Sequence, residues 1–151
     1  MRAVVQRVSW AEVLVEGGVV AAIEQGLLVL VGVSRSDGPE EGRALAAKLV
    51  GLRIFPDEAG KMNRSVQDAQ GEVLVVSQFT LLGDARKGRR PSFIDAAGRE
   101  EAEPLVEELA RAVEALGVPS RTGRFGTHME VHLVNEGPVT LVIDVADGKV
   151  V

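Results

Sequence analysis

Residues 26–33 have the sequence GLLVLVGV, which contains the longest apolar run of the chain. A run of branched apolar side chains without alternating polar residues is typical of a strand that is buried on both faces of a sheet. The run is much shorter than the roughly 18 residues that a membrane span requires. It therefore predicts a central strand, covered on both sides by the rest of a globular domain.

Other stretches have the alternating or continuous apolar pattern of strands, and Gly17-Gly18 is a hairpin signal between two of them. The last two are joined through Asn135-Glu136-Gly137-Pro138, which predicts a turn. The predicted strands are residues 2–8, 10–16, 19–23, 27–33, 72–82, 129–134 and 139–145.

Two helices are predicted between these strands. Residues 36–39, SDGP, combine capping residues with an early proline, and leucines follow at helical spacing up to Leu52. A second helix is predicted at residues 103–116, with Pro104 in its first turn and one apolar stripe. The chain is therefore expected to form one α/β domain over residues 1–151, a curled, barrel-like mixed and antiparallel sheet with two main helices.

Composition excludes several classes of chemistry. The chain has no cysteine, so it has no disulfides, no thiolate catalysis and no cysteine zinc site. Arg2 and Arg7 interrupt the apolar start, which is unlike a signal peptide. We therefore expect a cytoplasmic protein with no membrane span, and we expect no cofactor.

The charge distribution has one local exception. The net charge is −5, which argues against a general nucleic-acid binder. However, Arg86, Lys87, Arg89 and Arg90 place four cations within five residues. This run is either a solvated surface loop or a grip for one anionic feature, such as an RNA end.

Polar residues interrupt the strand predicted at 72–82. Ser77, Gln78 and Thr80 follow four apolar residues. In an extended strand, Ser77 and Phe79 face one side while Gln78 and Thr80 face the other. The segment is either a strand that emerges into solvent or the floor of a pocket, where main-chain N–H groups stabilise an oxyanion.

The two histidines of the chain suggest a second possible site. His128, Glu130 and His132 share one face if the segment is a strand, which resembles a metal triad. The alternative is the polar face of a half-exposed strand. A conventional serine nucleophile is not indicated, because the G-x-S-x-G elbow is absent.

Gly137-Pro138 also has two interpretations. It is either an ordinary hairpin turn or a rigid turn that displays carbonyl oxygens toward a cation. An X-Pro bond is cis in only about 5–6% of folded cases, so the sequence alone does not choose between the isomers.

Several motifs together resemble the D-aminoacyl-tRNA deacylases. Each is short, but they occur in order over essentially the whole chain, which makes the combined resemblance specific. The motifs are RAVVQRV at 2–8, GLLVLVGV at 26–33, SQFTL at 77–81, KGRRPSF at 87–93 and NEGPVT at 135–140.

This resemblance implies a homodimer that hydrolyses the ester of D-aminoacyl-tRNA, and of mischarged glycyl-tRNA, as chiral proofreading during translation. It also implies that a cis Gly137-Pro138 segment enters the active site of the partner subunit. There the two carbonyl oxygens bind the α-ammonium of the substrate, while amides near Gln78 and Phe79 hold the scissile carbonyl. An L side chain is then excluded by the turn.

The resemblance assigns further residues. It implies that Phe125 and Met129 line the pocket of the terminal adenosine, and that Arg7 supports the site. Thr80 is the side chain to which catalysis is assigned, with the ribose 2′-hydroxyl as the rival proton carrier. Two other functions remain open, namely a metal-dependent hydrolase that uses His128, Glu130 and His132, and a non-catalytic module that binds the tRNA end.

Overall fold

A seven-stranded sheet and two helices form the structure, a computed structural model that describes residues 1–151. A short 3-10 helix at Phe79–Leu82 lies between the two helices in the chain. The elements are β1 (Arg2–Val15), β2 (Gly18–Ile23), β3 (Gly26–Gly32), α1 (Pro39–Gly51), β4 (Phe55–Pro56), β5 (Met62–Arg64), β6 (Glu72–Ser77), α2 (Arg99–Ala115), β7 (Ser120–Thr122), β8 (Glu130–Ala146) and β9 (Lys149–Val150).

The predicted central strand is β3. It pairs with β6 in parallel on one side and with β1 in antiparallel orientation on the other. The strand order is β7-β6-β3-β1-β8-β9, and β2 pairs with the second half of β1. The prediction of one mixed, curled sheet with two main helices is confirmed. Neither helix combines the length and apolar character that crossing a membrane requires.

Both faces of β3 are buried, each against a different part of the fold. Leu27 and Val29 belong to the core that α1 and α2 cover. Leu28 belongs to a second core, which includes Val13 and Ile23 from the curled half of the sheet. Each fully buried leucine or valine contributes about 1.5–3 kcal/mol relative to an exposed one. The sheet therefore curls because its second face must also be covered.

The first strand differs from its prediction. Residues 2–8 and 10–16 were expected as two strands, but β1 is continuous from Arg2 to Val15. Its pairing with β8 shifts register on both sides of Val8. Such irregularities bend a strand without ending it, so the first half of β1 lies beside β3 and the second half turns away to pair with β2.

Three other features of the secondary structure were predicted wrongly. The apolar strand ends at Ser77, before the 3-10 helix, and does not continue to Leu82. The second helix begins at Arg99, so Pro104 lies inside it and not in its first turn. Residues 135–138 form no hairpin turn, because β8 is one strand and β1 pairs with it on both sides of that segment.

Glu41 connects the start of α1 to the far end of the chain. It is 7% exposed, and its carboxylate accepts hydrogen bonds from the backbone N–H groups of Gly38 (2.7 Å) and Gly148 (2.8 Å). The first bond caps the helix and the second holds the turn between β8 and β9. The hydrogen bond from Gly38, followed by that from Gly148, lowers the pKa of Glu41.

We predict that Glu41→Gln lowers the free energy of unfolding at pH 7 by about 1–3 kcal/mol, because Gly38 and Gly148 donate to different carboxylate oxygens and one of these is replaced by an NH2 group, which cannot accept. The pKa of Glu41 is lower in the folded state, so its stabilising effect is complete above the unfolded value of about 4.3 and is lost as pH falls through the folded value. Urea unfolding at fixed protein concentration should therefore show a difference that shrinks below about pH 4.

The matched control for this measurement is Glu40→Gln, which changes an exposed carboxylate in the same turn of α1. The control should leave stability within about 0.5 kcal/mol of the parent protein. Equal effects of the two substitutions at pH 7 would contradict the assignment to Glu41.

Candidate active site

A cavity of about 570 Å³ opens where β3 and β6 end. We call it the cleft. One wall is formed by the ends of these strands and the opposite wall by α2 and the segment before β8. The side chains around it are mostly apolar, which is typical of a ligand site. Its lining includes Val31, Val76, Ser77, Gln78, Phe79, Ala97, Arg99, Val106, Phe125, His128 and Met129.

The floor of the cleft contains three of the predicted site residues, Ser77, Gln78 and Phe79. Here the chain changes from strand to helix. The Gln78 N–H donates to the Val31 carbonyl oxygen at 2.7 Å, which continues the pairing of β6 with β3 by one residue. The main-chain N–H of Gln78 is therefore already hydrogen-bonded and is not a free oxyanion donor. This corrects the prediction that an amide near Gln78 holds the scissile carbonyl.

Two other amides are better placed as donors. Phe79 and Thr80 are the first two residues of the 3-10 helix. The first N–H groups of a helix have no acceptor within that helix. The strand end therefore provides main-chain donors at Phe79 and Thr80, next to an apolar cavity in which a hydrogen bond to a developing negative charge is strong.

The Thr80 hydroxyl accepts a hydrogen bond from the side-chain amide of Gln78. The Thr80 side chain is exposed and is not part of the lining of the cleft. No carboxylate or imidazole is hydrogen-bonded to it, so no general base is positioned to activate the hydroxyl. This geometry favours a positioning role for Thr80 over a nucleophilic one.

The opposite wall brings Phe125 and Met129 into the same cavity as Ser77 and Phe79. The guanidinium of Arg99 lies 6.0 Å from the centre of the Phe125 ring, and its Nε is 2.9 Å from Glu103. The hydrogen bond with Glu103 raises the pKa of Arg99. Arg99 was missed because the helix was predicted to begin four residues later, so nothing in the sequence pattern pointed to it.

Arg7 is the best-anchored of the predicted site residues. It is 7% exposed, and its Nε lies 2.8 Å from the Glu136 carboxylate and 3.2 Å from the Glu136 carbonyl oxygen. A second nitrogen donates to the Ile54 carbonyl oxygen. Arg7 therefore fixes the backbone immediately before Gly137, as expected of a supporting residue.

Gly137-Pro138 is a cis peptide bond within β8, as the resemblance implied. The φ angle of Gly137 is +123°, which favours glycine. A Cβ atom there would lie 2.8 Å from a guanidinium nitrogen of Arg7 and 3.0 Å from Val139. Backbone conformation and close packing therefore both require glycine at this position.

The Gly137-Pro138 segment lies apart from the cleft of its own chain. Ser77 aligns with Val31, which aligns across β1 with Ile143. Pro138 is thus three strands across and five residues along the sheet from Ser77, roughly 14 Å and 16 Å in those two directions. Both Gly137 and Pro138 are exposed, and neither lines the cleft.

The proposed metal triad is not assembled. The His132 ring lies 3.2 Å from Glu130 and 3.6 Å from Glu12, on the exposed surface of β1 and β8. His128 precedes β8 and lies on the wall of the cleft. No three His, Asp or Glu side chains form a group that could hold a metal ion, so the geometry does not support the metal-dependent alternative.

Comparison with known proteins agrees with the motifs. Residues 4–144 match the family model described as D-Tyr-tRNA(Tyr) deacylase. A D-aminoacyl-tRNA deacylase of Thermomicrobium roseum is 58% identical over 147 residues, which cover 97% of this chain and 96% of the relative. One of Symbiobacterium thermophilum is 59% identical over 144 residues, which cover 95% of each chain.

Two solved structures also resemble this chain over nearly its whole length. A structure titled c-Myc DNA Unwinding Element Binding Protein matches with a TM-score of 0.91 and 40% identity, over 97% of this chain and 99% of the other. A probable eukaryotic D-amino acid tRNA deacylase matches with a TM-score of 0.78 at 18% identity, over 95% and 98%, which shows the shared fold. The chain therefore belongs to the D-Tyr-tRNA(Tyr) deacylase family, whose members are hydrolases that act on an ester bond.

Proposed function

We propose that this protein hydrolyses the ester bond between a D-amino acid and the 3′-terminal ribose of tRNA, and that it works as a cytoplasmic homodimer. The observation that carries the proposal is the cleft, which has Phe79 at the start of a 3-10 helix on its floor and Phe125 in the opposite wall, with the Thr80 amide next to Phe79 in the chain. The names of the relatives support the same substrate class.

Two parts of the substrate, the terminal adenine and the ester carbonyl, bind in the cleft. The terminal adenine packs against Phe125 and Met129, since stacking on aromatic side chains is the usual recognition of an unpaired base. The ester carbonyl lies at the amides of Phe79 and Thr80, where each donor contributes roughly 3 kcal/mol to transition-state stabilisation. Ser77 and Gln78 complete the floor, and the Gln78 side chain holds Thr80 in place.

Proton transfer is assigned to the ribose 2′-hydroxyl. An aminoacyl ester is already activated, so placing it against fixed donors supplies much of the rate increase. The Thr80 hydroxyl has no basic partner, whereas the 2′-hydroxyl adjoins the reacting carbonyl in the substrate itself. The protein then contributes position and electrostatic stabilisation.

The α-ammonium is held by the Gly137-Pro138 segment of the partner subunit, which we call the clamp. The carbonyl oxygens of Gly137 and Pro138 are suitable acceptors, because Arg7 fixes this exposed segment and no element of its own chain covers it. The segment is too far from its own cleft to serve it, so a second copy must bring it there. If a two-fold axis relates the two copies, each copy brings its segment to the cleft of the other, which gives a homodimer with two equivalent sites.

An apolar row with one exposed end supports the homodimer; Val4 and Leu30 in it are half-buried and Val142 is exposed. Leu30, Val4 and Val142 are directly paired on three adjacent strands and share one face of the sheet. Val142 is 64% exposed. An exposed apolar side chain that continues a row of half-buried ones is suited to burial against a second copy of the protein.

Two fixed groups on the α-carbon explain chiral selection. With the ammonium and the carbonyl both held, a D side chain points to open space and an L side chain points into the Gly137-Pro138 segment. L-aminoacyl-tRNA is therefore rejected sterically. Glycine has no side chain to exclude, so glycyl-tRNA is also a substrate.

We predict that D-tyrosyl-tRNA is hydrolysed at least about 100-fold faster than L-tyrosyl-tRNA, because only the L side chain collides with the clamp. The measurement is release of labelled tyrosine under single-turnover conditions. Equal rates for the two stereoisomers would refute the proposed steric exclusion of the L side chain by the Gly137-Pro138 segment. Loss of all activity in a chelator would favour the metal-dependent alternative, and tRNA binding without hydrolysis would favour the binding module.

We predict that Thr80→Ala retains activity within about tenfold of the parent, because the substitution keeps the main-chain amide and removes only the hydroxyl. The measurement is kcat/KM for D-tyrosyl-tRNA, with Thr80→Ser as the matched control. Removing a true nucleophile costs roughly 10⁴-fold or more. A loss of that size, rescued by serine, would instead assign nucleophilic attack to Thr80.

We predict that two inactive variants restore each other in mixed dimers. Phe125→Ala impairs the cleft and Gly137→Ala impairs the clamp, so one of the two sites in each hybrid dimer has both halves intact. Equal mixing after reversible dissociation should give about a quarter of the parent activity. Absence of recovery, in samples that form dimers with a normal Tm, would place cleft and clamp in the same subunit.

A further inference from the structure

A surface loop next to the cleft has a closed and defined shape. Residues 84 and 92 form a β-bridge, in which the Asp84 N–H donates to the Ser92 carbonyl oxygen at 2.8 Å and the Ser92 N–H donates back at 2.9 Å. We call residues 84–92 the basic loop. Gly88 lies near its tip with a φ of +71° and open space around its Cβ direction, which is suited to a tight reversal.

The four cations of the basic loop have different roles. Arg86 forms two side-chain hydrogen bonds with Asp84, at 2.8 and 2.7 Å, and also donates its N–H to that carboxylate. This contact lowers the pKa of Asp84. Arg86 therefore closes the base of the loop, and its positive charge is neutralised by Asp84.

The remaining cations, Lys87, Arg89 and Arg90, are exposed, and none of them forms an ion pair. The protein as a whole has a net charge of −5. Three unneutralised cations within four residues thus form a local positive patch on an acidic protein. A patch of this kind attracts a polyanion without giving general affinity for nucleic acid.

The segment that follows the basic loop is attached to the cleft by two contacts. After the loop, the Phe93 ring meets the Phe79 ring edge to face, with centres 5.0 Å apart, and Phe79 lines the cleft. Farther along, the Ala97 N–H donates to the Val33 carbonyl oxygen at 2.9 Å, and both residues line the cleft. Arg90 is three residues from Phe93, so its backbone lies within roughly 11 Å of that anchor.

We propose that Lys87, Arg89 and Arg90 bind backbone phosphates of the tRNA strand that leads to the terminal adenosine in the cleft. The inference rests on the proposed function and adds the contact that the cleft lacks, since the cleft itself takes only an aminoacyl-adenosine. Lysine and arginine bind phosphate through charge-assisted hydrogen bonds. Contacts to phosphate carry no base information, so the basic loop adds affinity for tRNA without selecting its sequence.

The test compares two substrates and two triple variants. The loop variant carries Lys87→Gln, Arg89→Gln and Arg90→Gln. The matched control carries Lys48→Gln, Lys61→Gln and Lys149→Gln, which remove the same charge from exposed positions outside the loop. The substrates are D-tyrosyl-tRNA and D-tyrosyl-adenosine, which has no phosphate. Binding of uncharged tRNA is measured in parallel by fluorescence anisotropy over a salt series.

For the loop variant we expect weaker tRNA binding and a lower kcat/KM for D-tyrosyl-tRNA. We also expect the slope of log K against log salt to become shallower by about 0.7 for each lost contact, about 2 in total. The control should keep the slope of the parent protein. Hydrolysis of D-tyrosyl-adenosine should be the same in all three proteins, which also verifies that the loop variant is folded.

Three results would overturn the inference. They are an unchanged salt slope, an equal change in the control, and an equal loss on both substrates, which would make the loop a support for the cleft. The proposed function fails separately, if the parent protein hydrolyses neither substrate. Even then the anisotropy measurement decides whether the basic loop binds tRNA.

Discussion

The two-sided burial of β3 is the constraint on which the structure depends. One face of this strand requires the helices, and the other requires the sheet to curl back over it. Its parallel neighbour β6 shares both cores, so these two strands are held side by side up to their carboxyl ends. Neither β3 nor β6 continues past this point, and the cleft opens there. The rigid centre of the fold thus places the candidate active site, as is common where parallel strands end.

Under the proposed function, the chemistry of the cleft follows from how β6 ends. The Gln78 N–H still pairs with Val31, and the chain then enters a helical turn, so the next two amides are left without strand or helix partners. A site built from main-chain donors needs no unusual side chain, which agrees with the absence of a triad or a metal group near Thr80. Its precision comes from the sheet, because the donors cannot move without breaking the pairing of β3 with β6.

Under the proposed function, the groups that act on one substrate lie in three separate parts of the surface. The cleft, the Arg7-supported Gly137-Pro138 segment and the basic loop are each stabilised by their own local contacts. Under the proposed function, the first takes the adenosine, the second reaches the ammonium from a partner subunit, and the third meets the phosphates. An acidic protein with one basic loop then binds the charged end of an RNA and avoids general attraction to nucleic acid.

The sequence by itself determined the features that depend on local pattern. It predicted β3 from its apolar run, a hairpin around Gly17, the start of α1 and the motifs that identify the family, although the hairpin turn is Glu16-Gly17, one residue before the predicted Gly17-Gly18. Only the tertiary structure decided the conformation of segments in which long-range strand pairing outweighs the local sequence preference. Residues 135–138 have the composition of a turn, yet they remain within β8 because β1 pairs with β8 before and after them and Arg7 holds their backbone. The separation of Gly137-Pro138 from its own cleft likewise follows from strand order, which no local pattern encodes.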